Sequence, residues 1–210
     1  DTNFIKYNSK EEAIAAFRKM KQRKKEWLEQ TDRELKLKEI LQKQIMNELN
    51  LDRLNLTSPY TLWRTENNSY GFRTNYGVIY RVGFYKNELI WADNSYEFGI
   101  NNENHKTSPN DNKVKGTILA IIEEFFISNP SVLLYQCETG DNRQAMRARL
   151  FAKWFNDYKE KDNFVIKAAV VKDEDIDNYI GIIIQRNNPQ IEKYLNDFEN
   201  FVRFFTQKPI

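Results

Sequence analysis

Val114-Lys115-Gly116-Thr117-Ile118-Leu119-Ala120-Ile121-Ile122-Glu123-Glu124-Phe125-Phe126, closed by Asn129-Pro130 and followed at once by Val132-Leu133-Leu134-Tyr135-Gln136-Cys137, decides how this chain folds. Val114, Ile118, Ile121, Ile122 and Phe125 fall at the i, i+4, i+7, i+8, i+11 spacing of one buried helix face, and Pro130 forbids continuation. The segment after it is apolar at almost every position, as expected of a central strand covered on both faces. A helix start bearing Gly116 also offers backbone N–H groups to an anion, so this stretch places both a core and a candidate ligand site.

The whole chain has the size to support such a core. Its 210 residues fit one large domain or a domain with an extension. Hydrophobic residues at 40% and aromatics at 14% exclude wholesale disorder. Lys+Arg 32 against Asp+Glu 30 leaves no overall field that would recruit nucleic acid or a membrane. One cysteine makes no internal disulfide, and one histidine makes no ordinary Cys/His zinc site, so a reducing compartment is expected. No window approaches the length of a membrane span, and the opening residues read as neither an apolar h-region nor a presequence. The expected location is cytoplasmic.

Outward from the centre, the amino-terminal 1–56 read as a strand and a helical segment, either part of the fold or an arm. Phe4-Ile5-Lys6-Tyr7 is a candidate strand, and Ser9-Lys10-Glu11-Glu12 is a capping box that should start a helix. Ile14, Phe17, Met20, Trp27 and Leu28, then Leu35, Ile40, Leu41, Ile45 and Leu49, keep helical spacing with gaps, leaving open one long helix or a helical hairpin. The basic run Lys19 to Lys25 offers phosphate contacts to a nucleic acid, but mixed charge on a helix more often marks a solvated face, and that reading is favoured. A protein partner or self-association through residues 1–50 is the other use for such helices. Leu51 to Pro59 lose period and read as a connection.

Residues 57–210 form the body. Ser69–Thr74, Val78–Tyr85, Glu88–Trp91 and Tyr96–Ile100 read as an antiparallel meander with a turn at Asn75-Tyr76-Gly77. Asn101 to Asn112 is a loop carrying His105, a substrate contact only if an orienting group lies beside it. Gln144 to Tyr158 is a helix with Arg143, Arg147 and Arg149 at its start, where positive charge needs acidic neighbours, solvent or a bound anion. Phe164–Val171 and Tyr179–Ile184 are strands, and a last helix follows Pro189 with Ile191, Tyr194, Leu195, Phe198 and Phe201 on its core face. Cys137, at a strand end beside a helix start, is a candidate nucleophile or acid. The commoner fate of such a thiol is that of a small buried hydrophobe. The expected fold is therefore α+β: a mixed, mostly antiparallel sheet of six to seven strands flanked by helices, with an N-terminal helical segment and a C-terminal helix.

Up to its last helix this order resembles the GNAT superfamily of N-acetyltransferases. Lys113-Val114-Lys115-Gly116-Thr117-Ile118 looks like that family's pyrophosphate-binding turn, with Ile118 in place of its second small residue. Asn142-Arg143-Gln144-Ala145 looks like its Asn-x-x-Ala motif, with Arg149 where the general-acid tyrosine would follow. The resemblance implies an acyl-CoA-dependent N-acyltransferase with acetyl-CoA held at Lys113, Lys115, Gly116, Thr117 and Asn142, and leaves Cys137 and His105 as the candidates for chemistry. Residues from about 70 to 201 also resemble an uncharacterised bacterial family of unknown function, familiar in the Cys137-Glu138-x-x-Asp141 turn and the arginine-rich helix after it. The alternative expectation is a non-catalytic module, with a degenerate GNAT-like body and a protein or RNA partner, as in a toxin–antitoxin or defence system.

Overall fold

The structure is a computed structural model and describes residues 9–29, 46–65, 69–87, 95–107, 109–137, 143–173 and 176–206. In chain order the elements are α1 (Lys10–Glu29), α2 (Leu51–Thr57), β1 (Leu62–Arg64), β2 (Tyr70–Arg73), β3 (Ile79–Lys86), β4 (Ser95–Asn102), α3 (Asn112–Ser128), β5 (Val132–Gln136), α4 (Gln144–Asn156), β6 (Phe164–Asp173), β7 (Ile176–Gln185) and α5 (Ile191–Thr206). The strands make a seven-stranded, mostly antiparallel sheet in the order β1-β2-β3-β4-β5-β7-β6, so the α+β expectation holds. The expected strands at residues 4–7 and 88–91, and the join between the two N-terminal helical series, lie outside the described residues.

The chain divides into two compact units: 1–25 with 87–97 and 131–210, and 26–86 with 98–130. In the first unit, β5 pairs antiparallel with β7, and β7 with β6 in a long hairpin from Phe164↔Gln185 to Asp173↔Ile176. On α5, Tyr194, Phe198, Phe201 and Phe205 recur at helical spacing and join Val132, Leu134, Ile180, Ile182 and Ile184 in one core. Ala13, Phe17 and Met20 of α1 belong to that same core. The Phe17 ring sits 5.9 Å from that of Phe201 and 5.4 Å from that of Phe205, so this part of the N-terminal segment is core and not a detached arm. The helix starts where the capping box predicts, with Ser9 Oγ accepting from the Glu12 N–H at 3.1 Å.

In the second unit, β1, β2 and β3 pair antiparallel, with Leu62↔Phe72 and Phe72↔Tyr80 in register. α3 buries ten residues of its length and stacks Phe125 on Phe84 at 4.6 Å between ring centres. The segment from Leu51 to Pro59, expected as a connection, is instead largely a helix. Asn50 caps α2 by accepting from the Arg53 N–H, and Leu54 is its one buried residue. With a single buried apolar side chain in seven residues, no period exists to detect. The extended residues before α2 are fastened to the end of α3: the Asn47 N–H donates to Asn129 Oδ1 at 2.8 Å, the Asn129 amide donates back to the Asn47 carbonyl at 3.0 Å, and the Asn50 N–H donates to Glu124 Oε1 at 3.0 Å. These bonds satisfy polar groups that burial would otherwise leave costly.

Candidate functional site

β1 is only three residues long, and its placement comes from side chains. Asn55 of α2 brackets Leu62, accepting from its N–H at 2.7 Å and donating to its carbonyl at 3.0 Å. With Leu62 buried, strand alternation sends Trp63 the opposite way, where it lies across Gly71 of β2 and stays 41% exposed. A Cβ on Gly71 would stand 2.6 Å from the indole, so that position admits only glycine while the ring lies there. Trp63 forms one wall of an open groove of about 420 Å³ lined by Pro59, Tyr60, Thr61, Leu62, Trp63, Arg73, Asn75 and Lys113.

Tyr60 forms the floor. Its ring stacks on Phe72 at 5.9 Å, its hydroxyl donates to Asp111 Oδ2 at 2.6 Å, and the hydroxyl oxygen accepts from the Asn75 N–H at 3.2 Å. Burial, reinforced by the Asp111 carboxylate, pushes the phenol above its ordinary value, so it stays protonated and donating at neutral pH. The Lys113 ammonium lies 5.7 Å from the centre of the same ring, within cation–π range. Among the described residues no carboxylate lies within ion-pair distance of Lys113 or of the exposed Arg73.

The opening of α3, where the sequence points to a pyrophosphate, is built differently. Asp111 caps it, one carboxylate oxygen accepting from the Lys113 N–H at 2.9 Å while the other takes the Tyr60 hydroxyl. Thr117 is fully buried and spends its hydroxyl on the chain itself, donating to the Lys113 carbonyl at 2.8 Å and accepting from the Tyr60 N–H at 3.2 Å. The Pro59 ring covers Gly116: a Cβ there would meet Pro59 Cγ at 2.8 Å. Lys115 is half-buried, and Asn142 lies outside the described residues. The Asp111 carboxylate and the Pro59 ring thus both stand against this turn.

Residues 110–200 match a family of unknown function, DUF6169. No curated protein matches the chain. The DUF6169 match spans less than half of the chain and takes in α3 through most of α5, inside the range over which the sequence resembles an uncharacterised family. Of the groove it includes Lys113 alone, whereas Tyr60, Trp63, Arg73 and Asn75 come from before it.

His105 is exposed in its loop with a left-handed backbone, φ 52°. Cys137 is buried, and its N–H donates to the Tyr179 carbonyl at 2.9 Å in continuation of the β5–β7 ladder. His105 belongs to one compact unit and Cys137 to the other. Arg143 and Arg149 at the start of α4 are exposed, and Arg143 stands at the N-cap without a side-chain capping bond. Lys19 is exposed on α1, and Lys21 and Arg23 are half-buried. Among the described residues no cluster of His, Cys, Asp or Glu could hold a metal, and no helix is long and apolar enough to cross a membrane. Sequence reading passed over Tyr60, Trp63, Arg73 and Asn75. The signal present is Leu62-Trp63 alternation shortly after Pro59, facing Gly71 in the next strand.

Proposed function

We propose that the chain is a non-catalytic binding module built on an acyltransferase-like succession of elements, and not a working N-acyltransferase. The observation that carries this reading is the closed amino end of α3. The turn that would hold a cofactor's pyrophosphate is capped by its own carboxylate, Asp111, and covered by Pro59 at Gly116. Further support comes from the lack of a general acid where the resemblance calls for one, since Arg149 takes the tyrosine position. The groove beside that turn, with an exposed indole and two cations, is suited to holding a partner.

Thiol release tests this. Incubated with acetyl-CoA and a panel of primary amines, including polyamines and lysine peptides, the protein should liberate no CoA thiol above the uncatalysed rate. Release matched by acylated amine would overturn the reading. A melting shift with CoA does not discriminate, because CoA itself contains a nucleotide that could dock elsewhere on the surface.

A further inference from the structure

We infer that the Trp63 groove binds a nucleotide unit, a base plus its phosphate, supplied either as a free mononucleotide or as part of a single strand; this rests on the binding-module reading above. The groove combines the three things such a unit requires. Trp63 presents a large aromatic surface, 41% exposed and held in place by Gly71 beneath it, and base–aromatic stacking is the main sequence-tolerant contact made to unpaired bases. Arg73 and Lys113 line the same space with no acidic partner among the described residues, so a phosphate would supply their counter-charge.

The third element is Asn75. Its backbone N–H is committed to the Tyr60 hydroxyl, while its side-chain amide makes no hydrogen bond among the described residues. It therefore offers one donor and one acceptor, as the edge of a base demands. The Asp111 carboxylate has both oxygens engaged, by the Lys113 N–H and the Tyr60 hydroxyl, which limits its repulsion of a phosphate. A volume of about 420 Å³ lies within the usual range for sites that take small ligands. The basic run on α1 plays no part in this; the groove depends on residues far apart in sequence.

The test is calorimetric titration of the full chain with adenosine 5′-monophosphate and, separately, with a short single-stranded RNA, for wild type, Arg73→Ala and Trp63→Ala. Binding weakened about tenfold or more by each substitution is expected, on the usual worth of a base stack or a phosphate contact. Affinity for the mononucleotide identifies a free nucleotide as the ligand. Affinity for RNA alone identifies a strand, and its salt dependence should flatten by about one charge in Arg73→Ala. No binding of either probe at millimolar concentration overturns the inference, and so does binding that both variants leave unchanged. Arg73 is exposed and makes no ion pair among the described residues, so its variant keeps the test valid should Trp63→Ala fold poorly. Failure here is separable from failure of the binding-module reading, which only acyl transfer would overturn.

Discussion

Glu124 is a buried acidic residue of the second compact unit that ties α2 to α3, and Glu124→Gln tests what that tie contributes. Its side chain is 3% exposed in the carboxyl-terminal half of α3, while that of its partner Arg53 is 46% exposed. One oxygen accepts from Arg53 Nε at 2.6 Å; the other accepts from Arg53 Nη2 at 2.6 Å, the Asn50 N–H at 3.0 Å and the Ser128 hydroxyl at 3.2 Å. Glutamine keeps the shape and one acceptor but turns an NH2 group towards a guanidinium that can only donate. Breaking a buried pair from one side costs about 3–5 kcal/mol. The half-exposed arginine can turn to water, so a loss of about 2–4 kcal/mol is the better expectation. For a chain of this length that corresponds to a fall in Tm of roughly 5–15 °C.

The pH dependence gives the sharper check. Burial pushes the Glu124 carboxyl up, but the Arg53 fork, the Asn50 N–H and the Ser128 hydroxyl outweigh it and hold the group below its ordinary value. A carboxyl held lower in the folded than in the unfolded chain stabilises fully above its unfolded value, about 4.3, and loses that contribution as pH falls through the folded value. The wild-type advantage over Glu124→Gln, read by urea denaturation, should therefore stay level from pH 7 to pH 5 and shrink only below about pH 4.3. An advantage that already shrinks between pH 7 and pH 5 would mean burial prevails over the pairing. No advantage at pH 7 would mean the network contributes nothing. Either result refutes the reasoning.

Two further substitutions probe the two units separately. Phe17→Ala removes a fully buried ring that touches Phe201 and Phe205, and should cost about 3–5 kcal/mol in chemical denaturation; a change under about 1 kcal/mol would show α1 to be dispensable to that core. Asn55→Ala removes the side chain that brackets Leu62 from both sides, with an expected cost of about 1–2 kcal/mol. Because that bracket sets β1 and hence Trp63, nucleotide affinity should fall in Asn55→Ala as well, whereas in Phe17→Ala it should persist under folding conditions.

What could be read from the chain was what repeats over a long enough window. α3, β5, the β6–β7 pair and α5 each carry their own period, and Pro130 and Pro189 mark where helices stop and start. α2 and β1 do not: seven and three residues, with Leu54 and Leu62 as their single buried side chains, hold no repeat to detect. The groove was illegible for a different reason. Tyr60, Trp63, Arg73, Asn75 and Lys113 meet only because β1 pairs with β2 in one register and because Asp111 anchors Tyr60 beside α3. A shift of one residue in that register would turn Trp63 inward, and local composition does not state which register applies.

The start of α3 carries a counter-charge of its own. A helix start calls for negative charge, because its first N–H groups lack intrahelical partners and the macrodipole favours an anion. Nothing in that physics requires the anion to be a ligand. Here Asp111 supplies it from the adjoining residue, and its second oxygen recruits Tyr60, a residue fifty-one positions earlier in the chain. Pro59, next to Tyr60 in the chain, lies against Gly116, so the cap and the cover adjoin. The consequence for function is positional. Lys113 keeps its backbone in the capped turn but extends its ammonium across the Tyr60 ring, which moves the available positive charge off the helix end and into the groove shared with Trp63 and Arg73.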